Sequence, residues 1–139
     1  MEVSRAFVML NRYFREKRHS YLQPYGLKGY HARFLIEISG SPGISQDGLS
    51  QKLGLDKSNV ARQAAFLEES GYLSRESAPA DKRVLCLYPT SKAQALIEPL
   101  KKETLQWEQS LLQVLSPEEQ TQLTGLLEKL RSAVEGKEV

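Results

Sequence analysis

The sequence predicts a mainly α-helical fold with one small β-hairpin. Three observations predict it. Residues 45–71 read as two short helices separated by only Gly54 and Leu55, each opened by its own capping residue, Ser45 and Asp56, which makes a helix-turn-helix. Residues 72–77 and 84–88 read as short strands around a turn at residues 78–83. On both sides of this unit, apolar residues recur at helical spacing over several turns.

Taken in order, Val3, Phe7, Leu10 and Phe14 give the first helix its stripe to about His19, with Arg5, Arg12, Arg15, Lys17 and Arg18 spread over its other faces. Gln23, Pro24, Tyr25 and Gly26 break that pattern. A second helix is predicted from Leu27 or Lys28, its stripe formed by His31, Phe34, Leu35 and Ile38, followed by a loop over residues 39–43. Leu49 and Leu53 share one face of the helix capped by Ser45, and Gly54 ends it. After Asp56, Val60, Ala64 and Leu67 form a buried stripe, and Gly71 supplies the stop.

The side opposite that stripe carries Ser58, Asn59, Arg62 and Phe66. Any solvated helix has a polar outer face, but this set also suits the major groove. An arginine there bonds guanine O6 and N7, while Ser and Asn reach bases or phosphates. Lys57 and Gln63 on the same helix, Ser45 ahead of it and Arg75 in the first strand complete the expected DNA contacts. The hairpin tip adds Lys82 and Arg83, cations placed to follow a narrow minor groove. Asp81, two residues before Arg83, is the expected support that holds its guanidinium in one orientation.

Beyond the hairpin, Thr90 or Ser91 caps a long helix carrying Leu96, Leu100, Leu105, Trp107, Leu111, Leu112 and Leu115, with Pro99 inside it and a bend expected there. Ser116, Pro117, Glu118 and Glu119 spell a capping box with proline at the first helical position. Leu123, Leu126, Leu127, Leu130 and Val134 form the stripe of that last helix.

The run LDKSNVARQAAFLEESGYLSRESAPADKRVLCLYPTSKAQAL resembles the winged-helix core of the MarR family, the multiple-antibiotic-resistance type of bacterial transcriptional regulators. The matching residues are Ser58 and Arg62 in the second short helix, Leu67, Glu68 and Gly71 at its end, Arg75 closing the strand, Asp81 and Arg83 at the wing tip, and Thr90 leading into the long helix. Phe66, Pro89 and Ala93 depart from the family pattern. The resemblance implies one domain over 1–139, with a winged-helix DNA-binding lobe at 28–92 and dimerisation helices at 1–27 and 93–139. It further implies a homodimeric, sequence-specific transcriptional regulator that represses at a palindromic operator and is released by a small aromatic effector. By the same resemblance Arg12, Tyr13, Tyr25, Tyr30 and His31 are the expected lining of an effector pocket, with core packing the stronger reading of each residue taken singly. A winged-helix module that binds protein partners instead of DNA is the rival reading.

Composition sets bounds on these expectations. The 139 residues suffice for one domain, and the net charge of +2 is small for a nucleic-acid binder, so its distribution matters more. Residues 1–30 hold six Lys/Arg against two acids and residues 93–139 hold five against eight, which polarises the chain. A single cysteine, Cys86, excludes an internal disulfide, suits a reducing cytoplasm, and in its strand reads as a small packed side chain before a redox sensor. No run is apolar enough for a membrane span, no signal-peptide pattern opens the chain, and a cytoplasmic location is expected. His19 and His31 lack a metal-ligand spacing, and no phosphate loop or nucleophile elbow marks an enzyme, so neither a metal nor a cofactor is expected. The apolar stripes of the first and last helices exceed what a small lobe covers, which predicts a two-fold homodimer.

Overall fold

A computed structural model of the chain describes residues 2–136. The chain falls into two units, Met1–Glu103 and Thr104–Val139, whose boundary lies inside a long helix.

The first unit begins with α1 (Val3–Leu22), which runs three residues past His19 because Leu22 turns into the core, where it is fully buried. A single 3-10 turn (Gln23–Tyr25) follows, closed by Gly26 at φ +73°, a left-handed angle that glycine adopts without penalty. Helix α2 (His31–Gly40) starts later than the sequence predicts. Leu27 N–H bonds back to Leu22 O, and residues 28–30 form a turn instead, tied by His31 N–H to Lys28 O at 3.0 Å. Phe34, Leu35 and Ile38 bury the predicted stripe.

Two residues, Ile44–Ser45, form β1, a strand where the sequence analysis has only a loop and a cap. It is too short for alternation to show, and its partners lie far along the chain. Ser45 then caps α3 (Gln46–Leu53), its Oγ accepting the Gly48 N–H at 2.9 Å, and Gly54 at φ +68° ends the helix. Asp56 caps α4 (Lys57–Glu69), and Val60, Ala64 and Leu67 of its inner face are fully buried. Each such buried aliphatic larger than alanine contributes about 1.5–3 kcal/mol of transfer free energy, enough for three short helices to hold one another where none would persist alone.

Strands β2 (Leu73–Ser77) and β3 (Leu85–Pro89) pair antiparallel with Arg75 opposite Leu87, and β1 pairs on the far edge of β3, giving the order β1-β3-β2. The predicted hairpin is thus part of a three-stranded sheet. Thr90 joins the sheet to α5 (Ser91–Leu112): its Oγ1 donates to Gly71 O at 2.7 Å and accepts the Ala93 N–H at 3.2 Å. Ala93, Leu96, Ile97 and Leu100 of α5 enter the core, and Pro99 sits on its exposed side.

In the second unit, α6 (Pro117–Glu135) opens with the predicted capping box, Glu119 N–H to Ser116 Oγ at 3.2 Å and Ser116 N–H to Glu119 Oε1 at 2.9 Å. Gln120 Nε2 donates to Leu112 O and Leu115 O and so fixes the turn before it. No described residue of α6 is buried. No described helix is long and apolar enough to cross a membrane.

Candidate nucleic-acid interface

Helix α4 presents its polar side because Val60, Ala64 and Leu67 take the inner one. At its start, Asp56 Oδ1 accepts the Asn59 N–H at 2.7 Å and the Ser58 hydroxyl at 2.8 Å. These bonds, the backbone one foremost, lower the Asp56 carboxyl below its usual range. The Ser58 proton is committed to the cap, so its outward oxygen is an acceptor, suited to a base amino group and not to a phosphate. Arg62 is exposed and reaches only Asn59 Oδ1, at the 3.5 Å limit, which leaves most of its fork available. Lys57 lies on the first turn, in a solvent-screened pair with Asp47 at 3.5 Å.

At the wing tip, the turn is closed by Ala78 N–H to Val84 O at 2.8 Å and Val84 N–H to Asp81 O at 3.0 Å. Asp81 holds Arg83 through both oxygens, at 3.1 and 3.2 Å from its Nε and Nη2, and accepts its backbone N–H at 3.0 Å. Those bonds, the side-chain ones first, lower the Asp81 carboxyl. With 90% of its side chain exposed, Arg83 is aimed and solvated at once. Lys82 is exposed beside it, with no ion pair among the described residues.

Four residues that the sequence singles out have partners inside the lobe. Arg75 is spent inside the lobe: its Nε and Nη2 donate to Glu68 Oε1 at 3.2 and 3.1 Å, its Nη1 to Gln46 Oε1 at 3.2 Å, and Glu68 Oε2 takes its backbone N–H. Gln63 turns inward, its Oε1 2.9 Å from His31 Nε2. The Ser45 hydroxyl oxygen serves the α3 cap while its backbone pairs with Cys86. Phe66, placed on the outer face by periodicity, is 39% exposed there and also stacks on His31, with ring centroids 5.0 Å apart and planes at 14°.

The expected effector residues are distributed over several local contacts. Arg12 pairs with Glu16 in solvent, Tyr13 packs against Phe14 and Lys17, and Tyr25 lies 6.1 Å from Tyr21. Tyr30 and His31 are neighbours at 4.5 Å, and of the five only Tyr30 lines the cavities of about 670 and 340 Å³ on this part of the lobe. His31 is instead an interior residue, its Nδ1 accepting the Lys28 N–H at 2.9 Å, with burial lowering its basicity against the opposing Gln63 bond. The larger cavity, about 670 Å³, lies between α1 and the turn before α2, lined by Arg15, Arg18, Lys28 and Arg33 among others. Sequence reading missed it; the one local signal is that Arg15 and Arg18 stand three apart on one helical face.

A tight pair of helices, the second showing polar and cationic groups to solvent, followed by a hairpin with a clasped arginine, defines a winged helix-turn-helix protein. The MarR family profile matches residues 25–84. The chain is 30% identical over 93 residues to a transcriptional regulatory protein described for the hcr operon of Thauera aromatica, a match covering 67% of this chain and 56% of that one. It is 32% identical over 109 residues to YdgJ, an uncharacterized HTH-type transcriptional regulator of Bacillus subtilis (strain 168), across 78% of this chain and 66% of that protein. The chain thus spans little more than half the length of the first of these relatives. A MarR transcriptional regulator of known structure from Methanosarcina mazei Go1 superposes with a TM-score of 0.86 at 27% identity, over 94% of each chain. The chain belongs to the MarR family of winged-helix transcriptional regulators.

Proposed function

We propose that this chain is a sequence-specific DNA-binding repressor, acting as a homodimer on a palindromic operator that overlaps a promoter and released when a small molecule changes the spacing of its two recognition helices. One observation carries the reading: α4 shows Ser58, Arg62 and Lys57 to solvent while the Asp81–Arg83 clasp aims a second cation from the wing. Arg62 would read a base edge and Arg83 would enter the adjacent minor groove, with Lys57 and Lys82 on phosphates. In a two-fold dimer the two copies of α4 would meet major grooves about 34–36 Å apart on one side of the duplex.

The exposed apolar residues Val3, Phe7, Val8 and Leu10 of α1, and Leu126, Leu127, Leu130 and Val134 of α6, support a second copy as partner. Water-exposed stripes of that kind are where oligomers bury area. Release then needs only a modest preference of the effector for the wrong spacing, tenfold in affinity for about every 1.4 kcal/mol.

Selection of random duplex DNA on the purified chain tests this. An enriched inverted repeat, with log affinity falling by about 0.9 per neutralised phosphate against log salt, is the expected result. Monomeric protein with no sequence preference at physiological ionic strength would refute it in favour of a protein-binding module.

A further inference from the structure

The cavity of about 670 Å³ between α1 and the turn before α2 is walled by four cationic side chains, Arg15, Arg18, Lys28 and Arg33, and a single acid, Glu16. The carboxylate of Glu16 is already 2.9 Å from Arg12. None of the four cations has an ion-pair partner among the described residues. The turn packs closely on α1 at this point: a Cβ on the buried Gly29 would come within 3.2 Å of the His19 amide nitrogen, so a larger residue would push the turn off α1 by a few tenths of an ångström. Arg15, Lys28 and Arg33 are exposed and Arg18 is half-buried, so solvent screens part of their mutual repulsion and an anion seated among them would relieve the rest. Burial first, and then the neighbouring charges of Arg33 and Arg15, lower the Arg18 guanidinium from arginine's usual range.

We propose that this cavity is a binding site for a free, multiply charged small anion of the phosphate or polycarboxylate class. Four cations against one acid leave a surplus that a single carboxylate would not neutralise. The volume is that of a small-molecule site. Arginine forks are suited to two oxygens of one tetrahedral or planar anion.

Occupancy has a route to α4. Tyr30 and Arg33 line both this cavity and a second one of about 340 Å³, which is also lined by Asn59 and Gln63. Lys28 is bonded through its backbone to His31, which bonds Gln63. Any consequence for operator affinity rests on the DNA-binding reading above; anion binding itself does not.

Calorimetric titration of inorganic pyrophosphate into the full chain without DNA is the test. Saturable binding, one site per chain, is expected, with benzoate at matched ionic strength binding at least about tenfold more weakly. Arg18→Ala and Arg33→Ala should each weaken pyrophosphate by about tenfold or more, while Arg33→Lys retains most of it. The Arg62→Ala variant should bind pyrophosphate as the parent does, whatever it does to DNA, so loss of DNA binding alone leaves this site standing. Three results would overturn the proposal: no pyrophosphate binding, benzoate bound as tightly, or binding indifferent to both alanine variants. If those variants instead lower only the salt slope of DNA binding, the cations belong to the DNA backbone and the free-anion site is wrong.

Discussion

His31 Nε2 stands 2.9 Å from Gln63 Oε1, a bond that ties the first residue of α2 to the middle of α4 across 32 positions of sequence. Because His31 Nδ1 accepts the Lys28 N–H, the ring proton is assigned to Nε2, and Gln63 is the acceptor. The amide of Gln63 then faces Asn59 Oδ1 at 3.5 Å, the same oxygen that Arg62 approaches. The outer face of α4 is therefore anchored to a buried ring.

Gln63→Ala should cost about 1–3 kcal/mol of stability, since it leaves the buried Nε2 proton without an acceptor. The urea midpoint measures it. A variant as stable as the parent but altered in base preference would return Gln63 to the list of base readers.

Stability should also decline as pH falls below 6.5, the ordinary histidine value that burial lowers in His31. The unfolded chain takes up this proton at 6.5 and the native chain only at lower pH, so between the two values the unfolded state binds more protons and gains. Above that window the contribution is complete. Protonation would also force Nδ1 to give up the Lys28 N–H. Urea midpoints at about pH 7.5 and about pH 5.5 should differ less in His31→Gln than in the parent; an equal difference would remove His31 as the cause.

Arg62→Ala should weaken a selected operator by about 1–3 kcal/mol and relax preference at one base pair. Binding titrations against every base at that position decide it. Equal affinity of parent and variant would show that Arg62 only solubilises the helix.

Dimerisation should respond to the exposed stripe of α6. Leu126 and Leu130 are 58% and 51% exposed, on one face four residues apart, so Leu126→Lys with Leu130→Lys should disturb no core. Sedimentation should then give monomers that retain the helical circular dichroism of the parent. A dimer that survives both changes would place the interface elsewhere.

What was legible in the sequence follows the range of each interaction. The Asp56 cap spans three residues and the Asp81–Arg83 clasp two, so composition and spacing alone predict both. The capping box of α6 and the stripe of α4 are equally local. Strand β1 escapes because two residues carry no alternation and their partners, Leu87 and Cys86, lie far along the chain. On a helical wheel Gln63 lies at the edge of the stripe and Phe66 looks outward, and a histidine from α2 reaches over that edge to both. No periodicity within α4 could reveal that. The bonds of Arg75 are hidden for the same reason, since its acceptors sit 7 and 29 positions away.

Arg75 and Arg83 therefore form a matched pair for the final prediction. Both are arginines of the hairpin, but the Arg75 side chain is 23% exposed and bonded to Glu68 and Gln46, whereas that of Arg83 is 90% exposed and bonded only to Asp81. Removing Arg75 strands a carboxylate and an amide between α4, α3 and β2, so Arg75→Ala should cost about 1–3 kcal/mol of stability. It should leave the salt dependence of DNA binding as it was. Arg83→Ala should do the reverse: an unchanged urea midpoint, a salt slope smaller by about 1, and a lost preference for A·T-rich flanks. Anisotropy titrations over a salt series, with urea melts of the same two proteins, separate the cases. If Arg75→Ala lowers the slope while stability holds, its guanidinium leaves Glu68 for the duplex, and the Arg75–Glu68 pair belongs to the free protein alone.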